Sequence, residues 1–394
     1  MSRLWEKGLP LDQRVLQYTA GEDHKLDARL VAYDVRGCIA HAEMLAEQSL
    51  LDRQDCNAIC DGLRQLDAEF AAGKWQIELE DEDAHTAIES RLTAKIGEAG
   101  GRLHLGRSRN DQVLTALRLY LLDAADQVSR SVANLCESLD ELAARHSEMP
   151  LPGYTHMQHA MPSSVSLWCG GFREAFDDAL QGLLSARRRL DKNPLGSAAG
   201  YGSPGLPLDR ESTTAKLGFA VTQTPVTAVQ LSRGKGECGL LFEITLLLQD
   251  LGRLASDLLL FYTQEFGYIS LAPEVTTGSS IMPQKRNPDV LELIRASSAT
   301  AQASLDECMM ISAKLPSGFQ RDMQRMKAPL FRSIDLAIDS VDIMAYLLSG
   351  LHFVADNIVL DEGLNAAQEA NALVTSEGIP FREAYRRIAQ KYAG

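Results

Sequence analysis

Residues 240–262 have the sequence LLFEITLLLQDLGRLASDLLLFY. Its apolar residues recur at alternating steps of four and three without a miss: Leu240, Ile244, Leu247, Leu251, Leu254, Leu258 and Phe261. This spacing places the apolar side chains on one face of an α-helix, and its persistence is typical of helices bundled nearly parallel or antiparallel. Charged residues such as Asp250 and Asp257 interrupt the stretch, so it does not predict a membrane span.

Two further segments show a similar spacing, the first only nearly and with one gap. They comprise Val113, Leu117, Leu121, Ala124, Val128, Leu135, Leu139 and Leu142, and then Phe331, Ile334, Ile338, Val341, Ala345 and Leu348. Residues 163–190 and 289–314 are expected to be helices with broader apolar faces. The 14 prolines fall in clusters between these segments or near the ends of the chain, and proline breaks helix interiors. Because strong strand alternation is missing from the sequence, we predict an all-α fold.

Helices of this length, apolar over more than one face, usually bury the second face in an oligomer. The alternative is one elongated monomeric bundle. The length of 394 residues suggests two or three domains unless very long elements share one core. With 39 Lys+Arg against 53 Asp+Glu the net charge is −14, which makes general nucleic-acid binding unfavourable while leaving room for a local basic site.

The seven cysteines are odd in number and irregularly spaced. We interpret them as reduced structural thiols of a cytoplasmic protein, since only Cys56 and Cys60 lie close together and neither has a nearby histidine at zinc-like spacing. The N-terminal residues, MSRLWEKGLPLDQR, lack the apolar region of a signal peptide. We therefore expect a cytoplasmic protein that contacts neither a membrane nor nucleic acid.

Three segments between the expected helices are rich in polar residues and glycine: residues 104–112 (HLGRSRNDQ), 152–158 (PGYTHMQ) and 276–289 (TTGSSIMPQKRNPD). In the last of these, Gly278 permits close backbone approach, and Ser279 and Ser280 offer hydroxyl and N–H groups. Lys285 and Asn287 follow, and such a set of donors suits a developing oxyanion. A plain Gly-Ser linker before a helix N-cap would give a similar pattern.

The other two segments offer an anion site and a titratable group. Arg107, Arg109 and Asn110 precede a helix, where guanidinium groups and the helix N-terminus both favour a carboxylate. The alternative is a positively charged loop that compensates the negative charge of the surface. His156 lies beside Thr155, although a lone histidine is more often structural than catalytic. Together the three segments indicate a carboxylate-rich substrate, a proton-transfer group and no metal.

The segment GSSIMPQKRNP at 278–288 resembles the signature loop of the aspartase/fumarase superfamily, whose members are homotetrameric helical lyases that release fumarate. The segments HLGRSRNDQV at 104–113, PGYTHMQ at 152–158 and NPDVLELIR at 287–295 resemble its argininosuccinate lyase branch, and the resemblance runs over essentially the whole chain. It implies reversible β-elimination of argininosuccinate to arginine and fumarate, the last step of arginine biosynthesis, with no cofactor.

The resemblance also implies roles for individual residues. Ser279 corresponds to the serine whose alkoxide removes the Cβ proton, and Lys285 to a residue that holds the carboxylate as it becomes an aci-carboxylate. His156 corresponds to the histidine on the leaving-group side and Glu292 to the carboxylate that orients it. The substrate-binding residues are then Ser108, Arg109, Asn110, Thr155, His85, Asn287, Ser280, Gln324 and Lys327, with Gln324 and Lys327 near the arginine-like end.

The family architecture predicts three domains: an N-terminal helical domain at 1–105, a central long-helix domain at 106–352 and an abbreviated C-terminal helical domain at 353–394. In the homotetramer the central helices form a 20-helix core, and each active site is built from three subunits.

The sequence departs from the family pattern at several positions. Leu105 stands where threonine is usual, Phe319 stands where tyrosine is expected, and residues 230–236, QLSRGKG, replace an Asp-Arg-Asp region. We expect these positions at the leaving-amine end of the site. They leave open a related C–N lyase that acts on a different N-substituted aspartate. A catalytically inactive structural paralogue is a further alternative, against which the intact Ser279 and Lys285 argue.

Overall fold

The computed structural model describes residues 12–392. Residues 1–11, which supply most of the segment inspected for a signal peptide, therefore lie outside the described part, as do residues 393–394. The described α-helices are α1 (Gln13–Ala20), α2 (Asp23–Leu26), α3 (Val31–Glu47), α4 (Arg53–Ala71), α5 (Ala84–Ile96), α6 (Glu98–Gly101), α7 (Arg109–Arg145), α8 (Val165–Leu190), α9 (Arg210–Leu217), α10 (Thr227–Leu231), α11 (Lys235–Tyr262), α12 (Asp289–Ser312), α13 (Lys327–Ser349), α14 (Ala366–Glu377) and α15 (Phe381–Lys391).

Short 3-10 helices connect several of these elements, at Asp27–Leu30, Leu79–Asp81, Arg102–His104, Pro273–Val275, Arg321–Met326, Ala355–Asn357 and Glu362–Asn365. The strands are β1 (Pro150–Thr155), β2 (Gln158–Ser164), β3 (Lys192–Asn193), β4 (Val221–Thr222), β5 (Ile269–Ser270) and β6 (His352–Phe353). They form three two-stranded sheets, antiparallel β1–β2, parallel β3–β4 and antiparallel β5–β6.

The all-α prediction is confirmed, and the five long helices α7, α8, α11, α12 and α13 lie where the periodic segments predicted them. The small sheets only link helices. In α11 the apolar series from Leu240 to Phe261 is buried throughout, as the alternating spacing requires. No helix in the described part of the chain has the combination of length and apolar character that a membrane crossing requires.

The chain divides into two compact units. Among the described residues, unit 1 comprises 12–127, 183–243 and 302–334, and unit 2 comprises 128–182, 244–301 and 335–392. The three-domain division at residues 105 and 352 rests on the family architecture and stays a prediction.

Unit 1 has its own apolar core, in which α3 packs against α4 and α5. Ile59 and Leu63 of α4 and Ile88 and Leu92 of α5 are almost completely buried in it. Asp52 caps α4 by accepting a hydrogen bond from the backbone N–H of Gln54 at 2.7 Å, which satisfies one of the free donors of the first turn. This core fixes α5, which carries the candidate binding residue His85.

Unit 2 holds an aromatic cluster around Trp168, whose ring contacts Phe261 and Phe353. The Trp168 indole donates a hydrogen bond to Asp257 Oδ2 at 2.9 Å, which satisfies its only polar atom. The β1–β2 hairpin turns at His156 and Met157, both of which have positive φ, 54° and 61°. This is the backbone of a two-residue hairpin turn, and it leaves His156 exposed at the tip.

Candidate active site

Unit 1 contains a cavity of about 290 Å³ lined by both acidic and basic side chains. The lining residues are Asp23, Asp27, Glu82, Asp83, His85, Arg109, Asn110, Val113, Arg233, Phe319, Arg321, Gln324 and Lys327. Five of the predicted substrate-binding residues therefore lie around one space, although their positions in the sequence range from 85 to 327. We call this space the binding cavity.

His85 lies in the first turn of α5, which Asp83 caps by accepting hydrogen bonds from the N–H and the hydroxyl of Thr86, each at 2.8 Å. The His85 Nδ1 atom is 2.5 Å from Asp34 Oδ2, and both side chains are buried. Burial by itself would lower the pKa of His85, but the charge and hydrogen bond of Asp34 outweigh it and raise that pKa. Nε2 is buried without a hydrogen-bond partner anywhere in residues 12–392, which leaves it available to a ligand.

Lys327 is 4% exposed and is held between two carboxylates, with Nζ 2.8 Å from Asp23 Oδ2 and 2.6 Å from Asp27 Oδ1. Burial raises the pKa of Asp23 to about 6, partly offset by the charge of Lys327. Gln324 donates from Nε2 to the carbonyls of Thr19 and Ala20, at 2.8 and 3.3 Å. Both residues thus tie the wall of the binding cavity to α1 and α2.

The N-terminus of α7 brings Arg109 and Asn110 to the same cavity. Arg109 Nη1 is 4.0 Å from Asp83 Oδ2, while its Nη2 is buried without a hydrogen-bond partner among residues 12–392. Ser108 does not line the cavity, but its Oγ accepts a hydrogen bond from the Asn110 N–H at 3.3 Å. Ser108 therefore orients the start of the helix.

Asp111 holds the start of α7 in place. Its role was not predicted from the sequence. It is completely buried, and its carboxylate accepts hydrogen bonds from the backbone N–H groups of Ser108, Gly196 and Ala198, at 3.0, 2.9 and 2.8 Å. Arg107, which we expected near the substrate carboxylates, does not line the cavity. It is buried, and its Nη1 lies 3.0 Å from the sulfur of Cys38.

The positions that depart from the family pattern lie in different places. Phe319 and Arg233 line the binding cavity, with the Arg233 guanidinium carbon 5.7 Å from the centre of the Phe319 ring. Leu105 does not line it, and its carbonyl is 2.9 Å from Nε2 of the buried His41. Arg233 lies in the variant segment 230–236. Nothing in its immediate sequence marks it as a cavity residue.

In unit 2 the loop of residues 276–288 carries Ser279, Ser280, Lys285 and Asn287. A pair of backbone hydrogen bonds between Thr277 and Asn287, at 3.0 and 2.8 Å, closes the base of this loop. The Ser279 Oγ accepts hydrogen bonds from the N–H groups of Met282 and Ile281, at 3.2 and 3.5 Å. N–H donors of this kind stabilise an alkoxide at that oxygen.

The remaining side chains of this loop are largely open to solvent. Ile281 is 83% exposed, and Ser280 and Lys285 are exposed as well. Within residues 12–392 the Lys285 side chain makes no hydrogen bond or ion pair. We call residues 276–288 the serine loop.

Thr155 and His156 lie at the exposed tip of the β1–β2 hairpin, and Glu292 is exposed in the first turn of α12. In the described part of a single chain, no hydrogen bond joins His156 to Glu292 or to the serine loop. The proposed orientation of His156 by Glu292 is therefore not made within one chain. The hairpin is fixed from its other side, because the Tyr154 hydroxyl is 3.0 Å from both His159 Nε2 and the Tyr268 hydroxyl.

Known proteins share both the sequence and the fold. The family profile described as Lyase matches residues 10–302. The argininosuccinate lyase of Sorangium cellulosum is 44% identical over 393 residues, covering 99% of this chain and 91% of that protein. The argininosuccinate lyase of Thermotoga neapolitana is 39% identical over 393 residues, covering 99% of this chain and 98% of that protein.

Among solved structures, EDDS lyase in complex with formate has a TM-score of 0.81 at 26% sequence identity, covering 97% of this chain and 76% of that chain. The similarity thus extends over nearly the full length in both sequence and fold. The chain belongs to this lyase family, within the aspartase/fumarase superfamily, and groups with its argininosuccinate lyases.

Proposed function

We propose that this enzyme catalyses the reversible elimination of argininosuccinate to arginine and fumarate. The observation that carries the proposal is the binding cavity, where His85, Arg109, Asn110, Gln324 and Lys327 converge. The argininosuccinate lyases at 39–44% identity over almost the whole chain support the same substrate.

The charges of the binding cavity suit this substrate. Argininosuccinate carries three carboxylates together with a guanidinium and an ammonium group. Arg109, Arg233 and protonated His85 offer donors to carboxylates, and Arg109 Nη2 and His85 Nε2 are buried without partners in residues 12–392. Asp83 and Glu82 supply negative charge for the cationic groups. A cavity lined by charges of one sign alone would repel either the carboxylates or the cationic groups of the ligand.

We propose that the serine loop supplies the base. The Ser279 alkoxide takes the proton from the succinyl Cβ, and the electron pair is held as an aci-carboxylate by Lys285, Asn287 and Ser280. The C–N bond then breaks, the Cα–Cβ double bond of fumarate forms, and the leaving nitrogen takes a proton on the side of His156. A carbon acid this weak requires preorganised donors at the developing charge, and the N–H groups aimed at Ser279 Oγ support that role.

We further propose a homotetramer with a 20-helix core, in which each active site draws residues from three subunits. Large apolar side chains exposed on four of the long helices, α8, α11, α12 and α13, support this: Leu167, Leu184, Phe242, Leu246, Leu293, Met309, Met310, Ile343 and Tyr346. Exposed apolar surface on this scale marks an interaction site. Analytical ultracentrifugation tests it, and an active monomer would contradict the proposal.

A cytoplasmic location is proposed as well. All seven cysteines are unpaired, and six of them are buried. Unpaired thiols fit a reducing compartment. Fractionation of the native host with an activity assay tests this proposal, and activity outside the cytosolic fraction would contradict it.

A related C–N lyase activity on another N-substituted aspartate is the second candidate. Phe319 favours it, because a hydroxyl expected at this wall of the binding cavity is missing. The fold similarity to EDDS lyase is compatible with either candidate.

One assay separates these candidates. Purified protein is mixed with argininosuccinate or with another N-substituted aspartate, and fumarate is followed by its ultraviolet absorbance. We expect fumarate from argininosuccinate. Release only from the other adduct would favour the second candidate, and release from neither would contradict both.

A further inference from the structure

A second cavity in unit 1 shares no lining residue with the binding cavity. Its volume is about 240 Å³, and the end of α8, strand β3 and the start of α11 contribute to its walls. Four lining side chains are cationic, Arg118, Arg189, Lys192 and Lys235, against the single carboxylate of Glu237. In a chain with a net charge of −14, such a local excess of positive charge is not a consequence of composition. We call this space the basic cavity.

Arg118 is the buried member of the set, with 5% of its surface exposed. Its Nη1 donates hydrogen bonds to the Lys192 carbonyl at 2.6 Å and to Gln223 Oε1 at 2.5 Å, and its Nη2 donates to Ser232 Oγ at 2.8 Å. All three acceptors are neutral, and no carboxylate in residues 12–392 forms an ion pair with it. Burial lowers the pKa of Arg118 to about 10. Its charge is thus oriented by neutral acceptors and only partly offset by the charge of Glu237, a costly arrangement in a protein interior.

The other three cations are also without anionic partners. Among residues 12–392, the side chains of Arg189, Lys192 and Lys235 make no ion pair or hydrogen bond. Arg189 lies in the last turn of α8, where the helix dipole favours a cation. Lys235, however, is the first residue of α11, where the dipole disfavours one. An anion at this position would pair with the Lys235 ammonium group and would also be stabilised by the positive end of the α11 dipole.

We propose that the basic cavity binds a compact, multiply charged phosphate-type anion, with a diphosphate group as the best match. Four cations against one carboxylate leave an excess that a singly charged ion does not balance. The volume of about 240 Å³ admits a diphosphate group. The proposal is independent of the identity of the lyase substrate.

The basic cavity and the binding cavity share one wall segment, through which a bound anion would affect the binding cavity. The turn between α10 and α11 contributes Ser232 to the basic cavity and Arg233 to the binding cavity, and Lys235 at the start of α11 also lines the basic cavity. One short segment therefore lines both spaces from adjacent residues.

Isothermal titration of the intact protein with inorganic pyrophosphate tests the site. The test variant carries Arg189→Gln and Lys192→Gln, neither of which lines the binding cavity. The control variant carries Arg382→Gln and Lys74→Gln, which remove the same two charges at exposed positions elsewhere. Circular dichroism and thermal unfolding without anion verify that each variant is folded.

We expect saturable binding to the natural protein and to the control variant, and binding about tenfold weaker or more in the test variant, because two charge-assisted contacts are lost. A Lys192→Arg variant, which keeps the charge, should bind within about threefold of the natural protein. Equal affinity in the test variant, no saturable binding, or fumarate bound more tightly than pyrophosphate at this site would overturn the proposal.

Discussion

The binding cavity and the serine loop differ in how far a single chain completes them. In the binding cavity, buried ion pairs hold the side chains, with Lys327 between Asp23 and Asp27 and His85 against Asp34. In the serine loop, short-range hydrogen bonds of Thr277, Ser279 and Asn287 hold the loop. Lys285 is exposed with no partner in residues 12–392. We therefore propose that one chain preforms its binding residues, whereas the residues assigned to proton transfer acquire their surroundings from other subunits.

Ser279→Ala is the substitution with the largest expected effect on activity and almost none on folding. Without the base, fumarate release should fall by about ten-thousandfold. The midpoint of thermal unfolding should stay unchanged, since the side chain contacts only loop N–H groups. Steady-state assay and calorimetry measure the two effects. Substantial remaining activity would refute the assignment of Ser279 as the base.

Lys327→Met, unlike Ser279→Ala, should strongly reduce the stability of the folded protein. It leaves Asp23 and Asp27 buried without their shared cation, and we expect a loss of about 3–5 kcal/mol in the free energy of unfolding. Lys285→Met is the matched control, because the same change at an exposed position should alter stability by less than about 0.5 kcal/mol.

Urea unfolding of both lysine variants measures this difference. Similar losses of unfolding free energy in the two variants would mean that the buried ion pairs of Lys327 stabilise the fold no more than the exposed Lys285 does.

The pH dependence of stability sharpens the contrast further. The pKa of His85 is raised in the folded protein above the ordinary 6.5, so its pairing with Asp34 stabilises the fold fully below that pH. The contribution is lost as pH rises through the raised pKa. His85→Gln should therefore cost the most stability near pH 6, about 1.5–3 kcal/mol for a buried charged hydrogen bond, and less near pH 9.

Thermal unfolding of the natural protein and the His85→Gln variant across this range is the measurement. A cost that grows with pH would show that His85 is neutral in the folded protein. His156, exposed at the hairpin tip, provides the control, because His156→Gln should change stability little at any pH.

Phe319→Tyr has the smallest expected effect. The added hydroxyl would enter the wall of the binding cavity beside Arg233. If argininosuccinate is the substrate, kcat/KM should rise by about threefold to tenfold, the value of one hydrogen bond. Steady-state kinetics of fumarate release measure it. A decrease with argininosuccinate, together with turnover of another adduct, would favour the second candidate function.

The sequence predicted the long helices because an apolar pattern repeated over many turns leaves few alternatives. It did not predict the β1–β2 hairpin, since residues 150–164 contain three prolines and show no strong alternation. The polar composition of the segments between helices points to the serine loop, Arg109 and Asn110, whereas His85, Gln324 and Lys327 were identified through the family resemblance. Asp23, Asp27 and Arg233 were missed, because single charged residues far apart in sequence carry no local pattern and only the fold brings them together.

We propose that active sites combine residues of different subunits, and hybrid tetramers test this arrangement. Ser279→Ala and Arg109→Ala proteins, each inactive alone, are mixed in equal amounts, dissociated and reassembled, and fumarate release from argininosuccinate is measured. If the serine loop and the binding cavity of one site come from different subunits, activity should recover to about a quarter of the natural level. If both come from the same subunit, no hybrid site is intact, and an absence of recovery in reassembled tetramers would contradict the claim.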